Sequence, residues 1–190
     1  ALTHEGITIR DVDAVAFYEK PVLKFERLLM SSIATWPSGF PIFRRFLPLW
    51  FKQKLRTPTL FRKELGYAKD IYYVEHHLAH AGSSFLLSPF ERAAILTVDG
   101  TGEWTTATTG VGEGTAIRLD EEIRFPHSLG LLYSAITLHL GFQVNNCEGK
   151  IMGLASYGTP TPALREAFGH LVTVRPDGSF WLNMGSFGSL

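Results

Sequence analysis

Histidines and one aspartate form the pattern in this chain that most directly suggests chemistry. His76 and His80 are four residues apart, so on a helix their imidazoles lie on one face, one turn from each other. Asp99 ends an apolar run that is typical of a buried strand, and a carboxylate at a strand end can approach that helix face. Two imidazoles and one carboxylate make a metal site that suits Fe(II) or Zn(II) and leaves positions open for substrate. The alternative is that the histidines are polar groups at a helix start and a satisfied core residue.

Composition indicates an ordinary globular protein. Of the 190 residues, 45% are hydrophobic and 19% are charged, a balance that does not favour disorder. Lys+Arg and Asp+Glu are equal at 18 each, so the overall charge gives no case for a nucleic-acid or membrane partner. Cys147 is the only cysteine, which excludes an intramolecular disulfide and a cysteine-based zinc site. This usage fits a reducing cytoplasm, the location that we expect.

Apolar runs and helical periodicity alternate along the chain, which predicts an α/β fold. Strands are expected at 13–18, 71–75, 93–98, 104–109 and 117–125, helices at 77–87, 129–140, 148–155 and 162–170, and a hairpin over 171–182. Between Val22 and Leu65 the apolar spacing predicts amphipathic helices, broken at Pro41, Pro48 and Pro58. The chain lacks an initiator methionine and ends in a Gly/Ser-rich stretch, so we expect a fragment of a longer protein.

Further segments have the residue types of a ligand site. The turn Gly100-Thr101-Gly102 would let a phosphate approach backbone N–H groups, although a plain hairpin turn has the same sequence. Ser128 is a credible N-cap for the following helix, with His127 beside it as a surface residue. Glu148 and Lys150 flank a glycine before a small-residue helix, where they could contact ribose hydroxyls and a phosphate. The alternative for this pair is an exposed ion pair at a helix start.

Four motifs, in this order, resemble one family. They are His76-His77-x-x-His80, Val98-Asp99-Gly100-x-Gly102-Glu103-Trp104, Phe125-Pro126-His127-Ser128-Leu129-Gly130-Leu131-Leu132-Tyr133 and Glu148-Gly149-Lys150-x-Met152-Gly153-Leu154-Ala155-x-Tyr157-Gly158. Together they resemble the amino-terminal domain of the O-carbamoyltransferases, the family of nodulation protein U and of antibiotic-tailoring carbamoyltransferases. The resemblance is strongest from Tyr72 to Gly158. Gly149 and Ser156 depart from the bulkier residue and the proline that are common there.

The resemblance implies an architecture. The fold would be an incomplete actin-like ATPase (ribonuclease H-like) domain, related to the tRNA threonylcarbamoyl-transfer protein. Residues 1–190 would form a partial amino-terminal carbamoyl-transfer domain, with a helical insertion over 22–66. The carboxy-terminal domain that forms carbamoyl-adenylate would be absent from this chain, so the fragment alone is expected to be inactive.

The resemblance also implies a reaction and its cofactors. Carbamoyl phosphate and ATP would give carbamoyl-adenylate, and the amino-terminal domain would pass the carbamoyl group to a hydroxyl of a small molecule. Iron(II), or a substituting divalent metal, would be held by His76, His80 and Asp99, with His77 facing the core or a hydrogen-bond partner. Contacts to nucleotide or carbamoyl group are expected from residues of the later motifs: Gly100, Thr101, Gly102, Ser128, Glu148 and Lys150.

Other expectations of the family find no counterpart in this chain. A later carboxylate ligand and a catalytic histidine near the amino terminus are not visible, and His4 does not lie in a glycine-rich strand. The catalytic residue is therefore left unassigned. A homodimer of the full-length protein remains open, and neither nucleic acid nor a membrane is expected as a partner.

Two alternative functions remain. One is a related enzyme with another acceptor, either the tRNA threonylcarbamoyl transferase or the hydrogenase-maturation carbamoyltransferase. The hairpin at Trp104 and the segment 152–155 favour the first interpretation over this one. The other is a non-catalytic ATPase-fold module whose aromatic and basic segment from Phe40 to Lys69 docks a partner. The basic residues of that region are Arg44, Arg45, Lys52, Lys54, Arg56, Arg62, Lys63 and Lys69.

Overall fold

The computed structural model describes residues 2–52 and 57–187. Lys54 and Arg56, two of the basic residues named above, lie outside the described residues, as do the last three residues of the Gly/Ser-rich end. Packing divides the chain into two compact units, Ala1–Ala79 and His80–Leu190, and the division falls inside one helix. The domain boundaries drawn from the sequence stay predictions.

The chain combines helices with strands in both units, which confirms the α/β class. The strands are β1 (Val15–Phe17), β2 (Ile71–Tyr73), β3 (Arg92–Val98), β4 (Thr105–Glu113), β5 (Ala116–Arg124), β6 (Val172–Val174) and β7 (Phe180–Leu182). The α-helices are α1 (Pro21–Ala34), α2 (Phe40–Lys52), α3 (Thr57–Leu60), α4 (His76–Phe85), α5 (Leu129–His139), α6 (Glu148–Ala155) and α7 (Pro162–Leu171). Short 3-10 turns at Ile9–Asp11 and Met184–Phe187 and a π-helical turn at Phe61–Leu65 complete the described elements. Among these, no helix has both the length and the apolar character needed to cross a membrane.

The first unit combines a small parallel sheet with helices. β1 pairs with β2 in parallel, from Val15 opposite Ile71 to Phe17 opposite Tyr73. The apolar run at 13–18 is typical of a buried strand, but the residues of β1 are half-buried or exposed, so that expectation is wrong in its burial. Aromatic rings join α1 to α2, because Phe25 contacts the Phe43, Trp50 and Phe51 rings at centroid distances of 6.1 to 6.5 Å.

One predicted helix break is wrong. Pro48 lies inside α2, which continues to Lys52, although proline removes a backbone donor and disfavours a helix interior. Burial gives the physical reason, since Trp50, two residues further on, is buried in the aromatic contact with α1. Tertiary packing of this kind overrides local helix propensity. Pro41, in contrast, lies in the first turn of α2, where proline is tolerated.

The second unit is built on an antiparallel sheet with the order β3-β4-β5. Helix α4 covers one face of this sheet, where Ala81, Phe85 and Ile95 form the buried core and Ala93, Ile117 and Leu119 pack around it. Ala81, a small residue of α4, is fully buried and lets the helix pack closely on the sheet. Gly112 completes the fit, because a Cβ there would lie 2.5 Å from the Phe85 ring.

The opposite face of β3 is different. Ile95 and Thr97 are buried, whereas Leu96 is 70% exposed and Val98 is 49% exposed. The sequence predicted a buried strand here, and for the outer face this is wrong among the described residues. The alternation follows from the strand period of two, which turns successive side chains to opposite faces.

The remaining elements agree with the sequence. Helix α5 begins after Ser128, and Gly141 follows it with φ +82°, the left-handed conformation that glycine adopts without strain. β6 and β7 pair as the predicted hairpin, with Val174 opposite Phe180. The relation to actin-like ATPases stays a prediction.

Candidate metal centre and ligand turns

Helix α4 and the end of β3 position the predicted metal ligands. His76 is the first residue of α4 and His80 lies one turn later, so both imidazoles project from one face. The His80 Nε2 atom is 3.6 Å from the Asp99 Oδ2 atom. One possible ligand atom from each of the three residues lies within 4.8 Å of the other two. The three side chains predicted from spacing are thus close together, and the metal itself stays a prediction.

The carboxylate of Asp99 is oriented by its own turn. Its Oδ1 atom accepts a hydrogen bond of 2.7 Å from the Gly100 N–H, which fixes the carboxylate while Oδ2 lies towards His80. The side chains of His80 and Asp99 are 50% and 36% exposed, so a ligand can reach this pair from solvent. His77, next to the pair in sequence, is buried, which confirms the prediction that it faces the core.

Ser128 ties the start of α5 to the turn after Asp99. Its hydroxyl accepts the Leu131 N–H at 3.0 Å, the bond of an N-cap. The same hydroxyl lies 3.1 Å from the Asp99 carbonyl oxygen and 2.6 Å from that of Gly100, to which it donates. The side chain is fully buried. The N-cap is confirmed, and a direct contact between Ser128 and a ligand stays a prediction.

Gly130 allows α5 to come this close. A Cβ at Gly130 would lie 2.6 Å from the Asp99 carbonyl carbon and oxygen and from the Gly100 nitrogen. Non-bonded carbon and nitrogen atoms do not approach so closely without displacing the backbone. Any side chain at this position would therefore push the strand end and the helix apart.

The turn at Gly100-Thr101-Gly102 has fewer free donors than the sequence suggested. The Gly100 N–H binds the Asp99 carboxylate, and the Gly102 N–H donates to the Thr105 carbonyl at 2.9 Å. Among the described residues, the Thr101 N–H has no hydrogen-bond partner, so of the three backbone donors it is the one available to a phosphate. Gly100 and Gly102 have no side chains that would block the approach of a phosphate to this N–H. The phosphate contact stays a prediction.

His127 has a role that the sequence did not reveal. Its Nδ1 atom accepts the Leu182 N–H at 3.2 Å, and its ring meets Trp181 edge to face at 4.5 Å. Burial lowers the pKa of His127 below the usual value, which favours the neutral ring that this hydrogen bond needs. The ring is half-buried and joins the β6–β7 hairpin to the start of α5, so the interpretation as a surface residue is wrong.

Glu148 anchors its own loop. Its Oε1 atom accepts the Asn145 N–H at 2.7 Å and the Ser134 hydroxyl at 3.2 Å. These bonds, the one from Asn145 foremost, lower the pKa of the Glu148 carboxyl. No ion pair joins Glu148 to Lys150 within the described part of the chain, so the alternative of a Glu148–Lys150 ion pair is wrong. Lys150 is exposed, and the nucleotide contacts of both residues stay predictions.

The fold and the site together define an α/β protein with two histidines and an aspartate grouped at a strand end. Residues 1–188 match the family model described as the carbamoyltransferase N-terminus. The chain belongs to this family, as the four sequence motifs indicated.

Relatives support the same assignment. The chain is 43% identical over 194 residues to the uncharacterized protein sll1178 of Synechocystis, with 98% of this chain and 31% of the relative covered. It is 33% identical over 193 residues to nodulation protein NolNO of Sinorhizobium fredii, covering 98% of this chain and 26% of the relative. Nodulation protein NolO of Bradyrhizobium diazoefficiens is 34% identical over 117 residues, which are 60% of this chain and 21% of the relative. The chain thus spans less than a third of the length of these relatives.

We predict that Gly130→Ala lowers stability and displaces Asp99, because its methyl group would overlap the Asp99–Gly100 peptide. A loss of about 1–3 kcal/mol is expected, as for an overpacked core. Gly149→Ala is the matched control, since Gly149 is likewise the second residue of its helix and its Cβ would have nothing within 4 Å. Urea unfolding of both variants measures the difference. Equal midpoints would contradict the close contact.

We predict that Glu148→Gln lowers the melting temperature at pH 7. A carboxyl whose pKa is lowered by folding stabilises the fold above its unfolded pKa, and this stabilisation is lost as pH falls through the folded pKa. The gap between wild type and variant should therefore close below about pH 4. Thermal melts from pH 7 to pH 3 test this, with exposed Glu166→Gln as control. A gap that stays constant over that range would exclude the anchoring role of the charge.

Proposed function

We propose that this chain is the carbamoyl-transfer part of an O-carbamoyltransferase that acts in the cytoplasm on a hydroxyl of a small molecule. The grouping of His76, His80 and Asp99 is the observation that carries the proposal. Membership of the carbamoyltransferase amino-terminal family supports the proposal that the transferred group is a carbamoyl group. An actin-like ATPase fold, completed by chain outside this segment, is part of the same proposal.

The donor set fits a divalent metal. Metal–nitrogen and metal–oxygen bonds of about 2.1 Å at angles near 90–110° hold neighbouring donor atoms roughly 3–3.5 Å apart. The 3.6 Å between His80 Nε2 and Asp99 Oδ2 is close to that spacing. Two imidazoles and one carboxylate suit Fe(II), or a substituting divalent ion, and leave coordination positions for substrate. His76, His80 and Asp99 would hold this ion.

When bound, the metal would act as a Lewis acid that polarises the carbamoyl carbonyl. Hydrogen bonds within the protein keep the metal ligands in place. The Gly100 N–H holds the Asp99 carboxylate in one orientation, and Ser128 holds the two carbonyls on either side of that N–H. Such preorganisation reduces the rearrangement needed when charge develops in the transition state.

In the proposed reaction, water displaces phosphate from carbamoyl phosphate in a carboxy-terminal domain, and an oxygen of the resulting carbamate then bonds to the α-phosphorus of ATP. Carbamoyl-adenylate forms and pyrophosphate leaves. The acceptor hydroxyl oxygen then bonds to the carbamoyl carbon, the bond from that carbon to the adenylate oxygen breaks, and AMP leaves. The hydroxyl proton is released. Lys150, exposed at the start of α6, would pair with a phosphate, and Thr101 would offer a backbone N–H.

We predict that His80→Ala in the full-length protein lowers metal affinity by more than about a hundredfold and abolishes transfer, while the fold persists. Removing a ligand should cost more than the 10- to 100-fold loss typical of removing a group that hydrogen-bonds to a ligand. His139→Ala, an exposed histidine on α5, is the control and should retain metal. Metal analysis with circular dichroism measures both. Retained metal in His80→Ala contradicts the site, and a folded but metal-free wild type favours the non-catalytic module.

We also predict that Lys150→Ala weakens ATP binding roughly ten- to a hundredfold, the effect of losing one hydrogen bond to a charged group. Metal content should stay unchanged, because Lys150 is not among the grouped ligands. Calorimetric titration with ATP provides the measurement, and Arg165→Ala on α7 is a control for loss of an exposed positive charge. Unchanged ATP affinity in Lys150→Ala would refute the phosphate contact.

A further inference from the structure

The parallel pair β1–β2 brings two segments of the first unit together where α4 begins. In a parallel pair the carboxyl ends of both strands lie at the same edge, and Phe17 stands opposite Tyr73 at that edge. The pairing continues one residue further, because the Val74 N–H donates to the Phe17 carbonyl at 2.9 Å. Residues 18–20, which follow β1, therefore lie beside residues 74–76. Carboxyl ends of parallel strands are the usual place for ligand sites in α/β proteins.

Tyr18 contacts the ring of the candidate metal ligand His76. Their ring centroids are 5.9 Å apart, with the ring planes at 54°, a separation within the range of favourable aromatic pairs. The His76 ring also meets the buried ring of His77 edge to face at 5.8 Å. The orientation of the His76 imidazole is thus restricted by its neighbour in α4 and by a ring from outside the helix.

Lys20 binds the residue that precedes α4. Its Nζ atom donates to the Glu75 Oε1 atom at 2.8 Å. The Glu75 carbonyl in turn accepts the Ala79 N–H at 2.8 Å, a backbone bond of the first helical turn. The side chains of Lys20 and Glu75 are 36% and 57% exposed, and exposed ion pairs add little to the free energy of folding. The main effect of this pair is therefore to fix the position of the first turn of α4.

Glu19, between Tyr18 and Lys20, anchors the segment to α1. Its side chain is buried, and its Oε2 atom accepts a hydrogen bond of 2.7 Å from the Lys24 Nζ atom of α1. Breaking a buried ion pair is costly, because it leaves a charge without compensation away from water. The contacts of Tyr18 and Lys20 thus start from a segment that is itself held in place.

His76 needs support from outside its helix because it is the first residue of α4. The first four N–H groups of a helix have no partner within the helix, and helix ends open more readily than the middle. A metal ligand at the first position keeps its place only if other groups hold it. The contacts of Tyr18 and Lys20 are of this kind, and both lie within the first unit.

We propose that Tyr18 and Lys20 are positioning residues for the metal ligand His76. Tyr18 restricts the imidazole, and Lys20 fixes the first turn of α4 through Glu75. Neither belongs to the group of residues that could hold the metal itself. The proposal rests on the proposed function, since it takes His76 to be a ligand. The alternative is that both contacts only stabilise the fold, in which case their loss would change stability and leave the metal site unaltered.

Cobalt(II) binding to the full-length protein tests the role of Tyr18. Tyr18→Ala should weaken Co(II) binding at least about tenfold, as expected when a group that supports a metal ligand is removed, and should change the d–d absorption of the bound ion. Tyr18→Phe keeps the ring and should retain the affinity and the spectrum of the wild type. Tyr72→Ala is the matched control, because Tyr72 is a 62% exposed tyrosine on the neighbouring strand β2.

The outcomes separate this inference from the proposed function. If the wild type binds Co(II) and Tyr18→Ala binds it equally well with the same spectrum, the inference alone is overturned. Equal losses in Tyr18→Ala and Tyr72→Ala, or a loss of the same size in Tyr18→Phe, would overturn it too. If the wild type binds no Co(II), the proposed metal site fails and the inference fails with it.

Hydrogen exchange in the metal-free full-length protein tests the role of Lys20. Lys20→Met removes the charge and keeps the aliphatic chain, so the Ala79 amide should exchange about two- to threefold faster, the change that loss of an exposed ion pair allows. Lys63→Met is the control, since the Lys63 side chain is 78% exposed and its Nζ atom lies 4.0 Å from Glu64. Unchanged exchange of the Ala79 amide in Lys20→Met would overturn the role of Lys20.

Discussion

The structure around the candidate metal ligands depends on the close contact between Gly130 and the Asp99–Gly100 peptide. This contact brings the first turn of α5 against the end of β3, at a distance that no side chain at Gly130 would allow. Ser128, two residues earlier, uses the same closeness to bond both carbonyls of the turn. The Asp99 backbone is thus fixed from the helix side, while its N–H donates to Thr106 within the sheet.

Fixing the backbone has a consequence for the carboxylate. The Gly100 N–H binds the Oδ1 atom of Asp99, so the Oδ2 atom is the one near His80. A hydrogen bond of this kind, made to a metal ligand by a neighbouring group, raises the affinity for the metal. The Glu148 carboxylate is also held by hydrogen-bond donors, but there the bonds stabilise a loop. Its carboxylate accepts donors from Asn145 and Ser134, so it holds a loop to α5, and its charge serves the fold whether or not a nucleotide binds. Lys150, in the same first turn of α6, is exposed and makes no side-chain hydrogen bond within the described part of the chain.

Much of this could be predicted because it is encoded locally. The spacing of His76 and His80 needs only a helix, and Asp99 needs only the end of a strand. Contacts between residues far apart in the sequence could not be predicted from such local patterns. Pro48 stays helical because aromatic packing around Trp50 continues through it, and His127 binds the backbone of Leu182, far away in sequence. Gly130 is the residue whose type indicates the tight contact in the sequence. It is the second residue of its helix, where helix formation itself does not require glycine.

The strand that carries Asp99 shows where a local sequence pattern stops being informative. Its apolar run predicts a buried strand, and β3 is buried on the side of α4, whereas Leu96 and Val98 are exposed on the opposite face. Within the sheet, the hydroxyls of Thr97 and Thr108 share a hydrogen bond of 2.6 Å, so β4 holds the strand two residues before Asp99. The end of β3 is thus fixed by β4 and by the first turn of α5, and the Asp99 carboxylate is oriented by hydrogen bonds of the protein itself.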